Sequence, residues 1–193
     1  HASAPPADPA TFAAFAREFA QRYGDVIDVY QIWDEPNLMD AWGGLEPRVV
    51  DYAALLREAY AAIHGADTGA SVIAAALAPT TETGPANISD LIYLRELYAH
   101  GLKDFSDAIA AKPYGFNDPA DSRLVDANHL NYARFVALRE IMVQHDDGRT
   151  PLWASSYGWN SLPPDWDGAP SIWGAVSDET QIGYTLSAIE RAE

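Results

Sequence analysis

Hydrophobic and polar positions alternate along the chain in a pattern that predicts helices and strands in turn. Asp8 followed by Pro9 is typical of a helix start, and apolar residues then recur at helical spacing as far as Gly24. The segment 26–33 is rich in β-branched and aromatic residues and therefore predicts a strand. The chain thus opens with a helix followed by a strand.

The same alternation continues to the end of the sequence. The further predicted elements are a helix over 51–64, a strand over 71–77, a helix from Ser89 to Gly101, a strand over 108–111, a helix over 131–145, a strand over 152–156 and a helix from Ser177 to Arg191. Strands that alternate with amphipathic helices favour an α/β fold with a parallel sheet and helices outside it. A barrel and a doubly wound sheet both fit, but no glycine-rich phosphate loop follows any predicted strand, which favours the barrel.

The predicted strands end in residues that suit a binding site. Trp-Asp-Glu-Pro-Asn occupies 33–37, Lys-Pro-Tyr-Gly-Phe occupies 112–116 and Ser-Ser-Tyr-Gly-Trp-Asn occupies 155–160. The carboxyl ends of parallel strands meet at one edge, where such folds place their active sites. Aromatic rings beside carboxylates suit sugars, because sugar C–H faces stack on rings while the hydroxyls need polar partners.

Two of these segments resemble motifs of one enzyme clan. Ile-Trp-Asp-Glu-Pro-Asn at 32–37 resembles the W-N-E-P-N motif on the fourth strand of clan A glycoside hydrolases. Leu-Trp-Ala-Ser-Ser-Tyr-Gly-Trp at 152–159 resembles the seventh strand of that clan, which commonly carries T-E-[FY]-G-W. Within the clan, the sequence is similar to bacterial family 39-like members. The resemblance implies a (β/α)8 TIM barrel, of which this chain covers about strands 4 to 7 with their helices.

The resemblance also implies a chemistry and a set of site residues. Clan members use two carboxylates about 5 Å apart in a retaining mechanism. Glu35 matches the general acid, whereas the nucleophile position carries Ser156, which is not expected to work as a nucleophile because a seryl glycoside would be stable to water. The implied substrate-binding residues are Trp33, Asp34, Asn37, Lys112, Tyr114, Tyr157 and Trp159.

Two further positions depart from the clan pattern. Asp34 stands where asparagine is usual, so it accepts a hydrogen bond from a sugar hydroxyl but cannot donate one. Lys112 stands where many members have histidine. An alternative interpretation is that Asp34 and Lys112 simply pair as ions.

Three functional hypotheses follow from these residues. The first is a glycosidase in which Glu35 is the acid and another carboxylate, such as Glu82, Asp165 or Asp167, activates water, giving inversion. The second is a carbohydrate-binding pseudoenzyme that retains the groove without the chemistry. The third, a remote one, is a Schiff-base lyase that uses Lys112 with a lowered pKa.

Charge and composition limit the partners. The net charge is −16, from 28 acidic and 12 basic residues, so the surface repels phosphate backbones and anionic membranes while tolerating a neutral sugar. We therefore expect a carbohydrate partner and neither nucleic acid nor a membrane. The sequence has no cysteine, and its five histidines show no ligand spacing, so it predicts no metal site and no cofactor. It leaves the oligomeric state and the localisation open, although the resemblance suits an extracellular or periplasmic protein.

The length predicts one domain. The chain has 193 residues, whereas eight-stranded barrels usually need about 250. Four βα units would leave two sheet edges unpaired. We therefore expect residues 1–193 to be a single partial barrel domain, either part of a longer chain or completed by a second copy.

Overall fold

The computed structural model describes residues 3–192, which form five helices and four strands. In chain order the elements are α1 (Pro9–Tyr23), β1 (Val29–Asp34), α2 (Val49–Ala66), β2 (Ser71–Leu77), α3 (Asp90–Ala99), β3 (Ala108–Ala111), α4 (Arg134–Gln144), β4 (Leu152–Ala154) and α5 (Asp178–Ala192). Short 3-10 helices lie at Asp40–Trp42 and Leu102–Asp104.

The predicted elements are confirmed, and their bounds differ from the predicted ones by up to three residues. Strand β1 begins three residues later than predicted, because the N–H groups of Val26 and Ile27 both donate to the carbonyl of Tyr23 in a turn. Strand β4 ends at Ala154, two residues earlier than predicted. Asp8 caps α1 as expected, since its carboxylate accepts the N–H of Ala10 at 2.9 Å.

The four strands form one parallel sheet in the order β1-β2-β3-β4. Each strand therefore lies beside the strand that precedes it in sequence, with α2, α3 and α4 as the crossovers. A doubly wound sheet reverses its order at a switch point, whereas a barrel adds strands in one direction. The order accordingly supports the predicted (β/α) barrel type of fold.

The hydrophobic core lies between the sheet and the helices. Tyr52 of α2 is fully buried there, where its hydroxyl donates to the carbonyl of Ile32 at 3.0 Å and accepts the N–H of Ala75 at 2.6 Å. A second buried cluster consists mostly of small side chains from β2 and β3, namely Ile73, Ala76, Ala108 and Ala110. None of the described helices has the length and apolar character that a membrane-spanning helix needs.

A buried ion pair ties the start of α4 to the start of α3. Nη2 of Arg134 lies 2.6 Å from Oδ1 of Asp90, and both side chains are 2% exposed. The same guanidinium donates to the carbonyls of Ala127 at 2.8 Å and Thr80 at 3.2 Å. Because Thr80 follows β2, this pair fixes two of the loops at the carboxyl edge of the sheet.

Candidate active site

An ion triad lies at the carboxyl edge of the sheet. Nζ of Lys112, which follows β3, donates to Oδ2 of Asp34 at 2.7 Å and to Oε1 of Glu35 at 2.8 Å. Strand β2 lies between the strands that carry these residues. The alternative in which Asp34 and Lys112 pair as ions is confirmed, and Glu35 belongs to the same group.

The three members of the triad differ in exposure. The Lys112 side chain is 8% exposed, that of Glu35 is 23% exposed and that of Asp34 is 55% exposed. Burial lowers the pKa of the Lys112 ammonium, but the contacts with Asp34 and Glu35 raise it further, so the net pKa lies above its ordinary value. Lys112 is therefore protonated at neutral pH. The hypothesis of a Schiff-base lysine with a lowered pKa is wrong, because a carbonyl is attacked by the neutral amine.

The backbone at the end of β1 is bent sharply. Trp33 has φ of 73° and Glu35 has φ of 51°, both in the left-handed region that non-glycine residues rarely adopt. The Glu35 N–H donates to the carbonyl of Ala76 at 2.9 Å. The Trp33 indole N–H donates to the carbonyl of Ala41 at 3.1 Å, and its ring packs edge-on against Trp42 at 5.2 Å. Trp33 thus packs against the helical layer, and its role in substrate binding stays a prediction.

Asn37 is also a structural residue. It is 0% exposed, and its Nδ2 donates to the carbonyls of Ala78 at 2.9 Å and Ile88 at 2.8 Å. Its Oδ1 accepts the N–H of Ala78 at 2.9 Å. The buried amide of Asn37 is committed to the backbone of the neighbouring loop, and its role in substrate binding stays a prediction.

A cavity of about 360 Å³ opens at the ends of β3 and β4, within the roughly 300–1,000 Å³ range of small-molecule sites. Its lining residues are Tyr114, Tyr157, Gly158, Trp159, Asn160 and Trp173. The Tyr114 and Trp173 rings meet edge-on with centroids 5.2 Å apart. The Gly115 N–H donates to the Gly158 carbonyl at 2.9 Å, which joins the two loops that form the walls.

Trp159 lines this cavity but is largely buried against neighbouring residues. Its indole is buried, stacks on Tyr132 with centroids 5.5 Å apart and donates to the carbonyl of Asp118 at 2.6 Å. It lies so close to Gly115 that a Cβ there would overlap the ring. Tyr132 covers one face of the ring and Gly115 approaches it, so little ring surface is left for a sugar, and the role of Trp159 in substrate binding stays a prediction. Tyr157 and Trp173 are exposed instead.

Ser156 lies just beyond the last strand. The N–H of Ser155 donates to the carbonyl of Ala111 at 3.0 Å, which continues the sheet by one residue, and Ser156 then follows as an exposed residue next to Tyr157. The structure thus groups Asp34, Glu35 and Lys112 by direct contact. Tyr114 and Tyr157 line the cavity at the ends of β3 and β4, and Ser156 directly precedes Tyr157 in the chain.

Asp118 stabilises the loop after β3, a role that the sequence did not reveal. Its Oδ2 lies 2.8 Å from Nε2 of His129 and accepts Nδ2 of Asn131 at 3.1 Å. Burial raises the pKa of Asp118, but these partners lower it more, so the net pKa lies below its ordinary value. Within residues 3–192, no three His, Cys, Asp or Glu side chains are grouped to hold a metal ion.

Comparisons with known proteins place the fold among the TIM-barrel glycoside hydrolases. A GH39 enzyme from Xanthomonas axonopodis pv. citri matches with a TM-score of 0.54 and 21% identity, over 82% of this chain and 32% of that one. A family 39 glycoside hydrolase from Bacteroides cellulosilyticus WH2 matches with a TM-score of 0.60 and 18% identity, over 94% and 34%. A glucosidase from Croceicoccus marinus matches with a TM-score of 0.59 and 17% identity, over 85% and 33%.

The likeness is structural, and the chain spans about a third of the length of these enzymes. No family model matches the chain, and no curated protein matches its sequence. The comparisons confirm the barrel fold class. The expectation that residues 1–193 are one partial barrel domain stays a prediction, as do the roles of the site residues.

Proposed function

We propose that this protein is a glycoside hydrolase-like domain in which Glu35 is the general acid for cleavage of an O-glycosidic bond. One observation carries the proposal. The Glu35 carboxyl lies at the carboxyl edge of a barrel-type sheet and contacts Lys112, and Tyr114, two residues after Lys112, lines an aromatic cavity with Tyr157 and Trp173. A proton donor next to aromatic rings is the combination that sugar cleavage requires.

In the proposed reaction, Glu35 gives its proton to the glycosidic oxygen as the bond from that oxygen to the anomeric carbon breaks. The electron pair of the bond goes to the leaving oxygen. Because Ser156 stands at the nucleophile position, we assign the attack to water, with inversion at the anomeric carbon. A second carboxylate must then take the proton of the water.

Glu82 is the first residue to test as that base. It follows β2, and both of its carboxylate oxygens accept Nδ2 of Asn87, at 3.0 and 3.1 Å. Asn87 pairs with Leu38 in an antiparallel bridge, which places the loop of Glu82 beside the loop that follows Glu35. Asp165 and Asp167 lie in an exposed loop after β4 and are the next candidates.

The cavity would bind the sugar through stacking and acceptance of hydroxyl protons. Tyr114, Tyr157 and Trp173 offer ring surface to sugar C–H groups. The second oxygen of Asp34 accepts no hydrogen bond from residues 3–192 and belongs to a half-exposed side chain. It is therefore free to accept a sugar hydroxyl.

The test is hydrolysis of a panel of aryl glycosides of common hexoses and pentoses. We expect Glu35→Gln to reduce turnover by about 10²-fold or more, because the amide has no proton to give. Glu96→Gln on α3 is the matched control, since Glu96 is exposed and far along the chain from the site. Unchanged turnover in Glu35→Gln would remove the proposal, whereas product anomer analysis with Glu82→Gln would test the base.

A second function is favoured by Ser156 alone. A domain that kept the aromatic cavity and replaced the nucleophile would bind oligosaccharides without cleaving them. It would show saturable binding that Tyr114→Ala weakens and no turnover on the aryl glycoside panel. Hydrolysis that depends on Glu35 would exclude this pseudoenzyme.

A further inference from the structure

We propose that Lys112 is a positioning residue that selects which oxygen of Glu35 carries the transferred proton. By holding Oε1, it leaves Oε2 as the donor toward the sugar. This inference rests on the proposed function of Glu35 as the acid. It assigns to Lys112 a role through Glu35 in place of the predicted direct contact with substrate.

Lys112 is itself held in one position. Its side chain is 8% exposed, and its residue directly follows β3, a strand that is buried along its whole length. Asp34 holds the ammonium from one side at 2.7 Å and Glu35 from the other at 2.8 Å. With a buried stem and two charged acceptors, the ammonium has little freedom to follow a mobile carboxyl group.

The two carboxyl oxygens of Glu35 have different surroundings. An ammonium N–H at 2.8 Å from Oε1 points at a lone pair of that oxygen. A carboxylic acid proton on Oε1 would compete with this donor, whereas Oε2 receives no hydrogen bond from any residue in the described part of the chain. The proton of the acid form therefore belongs on Oε2.

The negative charge of Asp34 strengthens its hydrogen bond with Lys112. An asparagine at position 34 would offer the ammonium one neutral acceptor. The carboxylate of Asp34 offers a charged one, and charge-assisted hydrogen bonds are roughly twice as strong as neutral ones. Asp34 thus anchors Lys112, and Lys112 in turn orients Glu35.

The backbone on both sides of Asp34 has an unusual conformation that needs stabilising contacts. Both neighbours of Asp34 have left-handed φ values, 73° at Trp33 and 51° at Glu35. Such residues persist only where surrounding contacts fix them. The ammonium contacts two consecutive side chains across this bend, so it fixes the direction in which Glu35 leaves the backbone.

Leaving-group dependence provides a readout that a merely structural role would not move. For one sugar, we compare the phenyl glycoside, which needs protonation of its leaving oxygen, with the 2,4-dinitrophenyl glycoside, which does not. In Lys112→Met we expect kcat for the phenyl glycoside to fall by about 10²-fold, while kcat for the dinitrophenyl glycoside stays within about threefold. Lys112→Arg restores most of the phenyl activity, because it keeps a cation against both carboxylates.

The double variant completes this test. If Lys112 acts through Glu35, Glu35→Gln with Lys112→Met loses no more phenyl activity than Glu35→Gln alone. Equal losses on both glycosides in Lys112→Met, or losses that add in the double variant, would overturn the proposal.

A measurement without turnover separates this inference from the proposed function. Side-chain ¹³C relaxation of Glu35 in the whole chain should show a fixed side chain in the wild type and in Lys112→Arg, with exposed Glu96 as the mobile reference. In Lys112→Met, or in Lys112→Gln if the first variant does not fold, the Glu35 order parameter should fall below about 0.6. A Glu35 that stays fixed without Lys112, or that is mobile in the wild type, contradicts the inference. Wild-type protein that cleaves no glycoside would end the proposed activity and leave this result to decide the geometry.

Discussion

Two buried cations, Arg134 and Lys112, are held in different ways. The Arg134 guanidinium meets Asp90 with two of its nitrogens, and both side chains are 2% exposed. The Lys112 ammonium is similarly buried, yet one of its partners, Asp34, is 55% exposed. The first pair is closed to solvent on both sides, while the second leaves Asp34 open to solvent.

The difference distinguishes a contact that stabilises the fold from a contact that positions the side chains of the candidate site. Arg134 also donates to the carbonyls of Thr80 and Ala127, so its charge serves the loop backbone. Lys112 donates only to side chains within the described residues, and each of those carboxylates keeps one oxygen free. We therefore expect Arg134 to dominate stability and Lys112 to dominate chemistry.

The largest predicted loss of stability is at the Arg134–Asp90 pair, which is closed to solvent. Arg134→Met leaves the buried Asp90 without its partner, and we expect the free energy of unfolding to fall by about 3–5 kcal/mol. Urea unfolding measures the loss. Arg123→Met, at an exposed arginine, is the control and should change stability by less than about 0.5 kcal/mol. A loss below about 1 kcal/mol in Arg134→Met would mean that the pair is not a structural clamp.

Lys112→Met should cost less stability than Arg134→Met. Water can reach Asp34 and, in part, Glu35 once the ammonium is gone, so we expect a loss of about 1–2 kcal/mol. The same urea unfolding experiment compares the two variants. A loss equal to that of Arg134→Met would show that the triad is as closed as the core pair and would end the distinction.

Alkaline pH should sharpen the comparison further. The pKa of Lys112 is raised in the folded state, so the stability that it contributes is present below the unfolded lysine pKa of about 10.4 and is lost as pH rises through the folded pKa. The difference in stability between wild type and Lys112→Met should be constant from about pH 6 to 10 and shrink above that range. Thermal unfolding at each pH measures it. A constant difference up to about pH 12 would contradict the charged contact.

The smallest effect lies at acid pH in the loop behind the cavity. The folded-state pKa of Asp118 is lowered, so its contribution is present above the unfolded aspartate pKa of about 3.9 and is lost as pH falls through the folded pKa. The stability difference between wild type and Asp118→Asn should therefore vanish in that acid window. Asp121→Asn, at an exposed position in the same loop, should show no such loss. An Asp118→Asn difference that persists unchanged to about pH 2 would rule out the ionised contact with His129.

Local sequence signals predicted most of the fold. Alanine-rich and β-branched runs marked strands 71–77 and 108–111 at both bounds, because a parallel strand buried on both faces reads as a continuous apolar run. The sequence also predicted that Glu35 follows a strand, because the β-branched and aromatic run at 26–33 lies just before it. These are properties of short segments.

The contacts of the predicted site residues depend on distant partners. Whether Trp159 presents a face to a ligand depends on Tyr132, and whether Asn37 is free depends on Ala78 and Ile88. Lys112 finds its acceptor 78 residues earlier in the chain. No periodicity reveals such contacts, because they form only when the strand ends and loops come together.

The most direct test of the account is to map where a sugar binds. Disaccharides of glucose and of xylose are titrated into the isotope-labelled chain while aromatic and side-chain signals are recorded. We expect the signals of Tyr114, Tyr157 and Trp173 to change together with that of Glu35. The His64–Asp107 pair, which precedes β3 at the opposite edge of the sheet, should stay unchanged. Changes at that opposite edge, or none for either sugar, would contradict a carbohydrate site at the carboxyl ends of the strands.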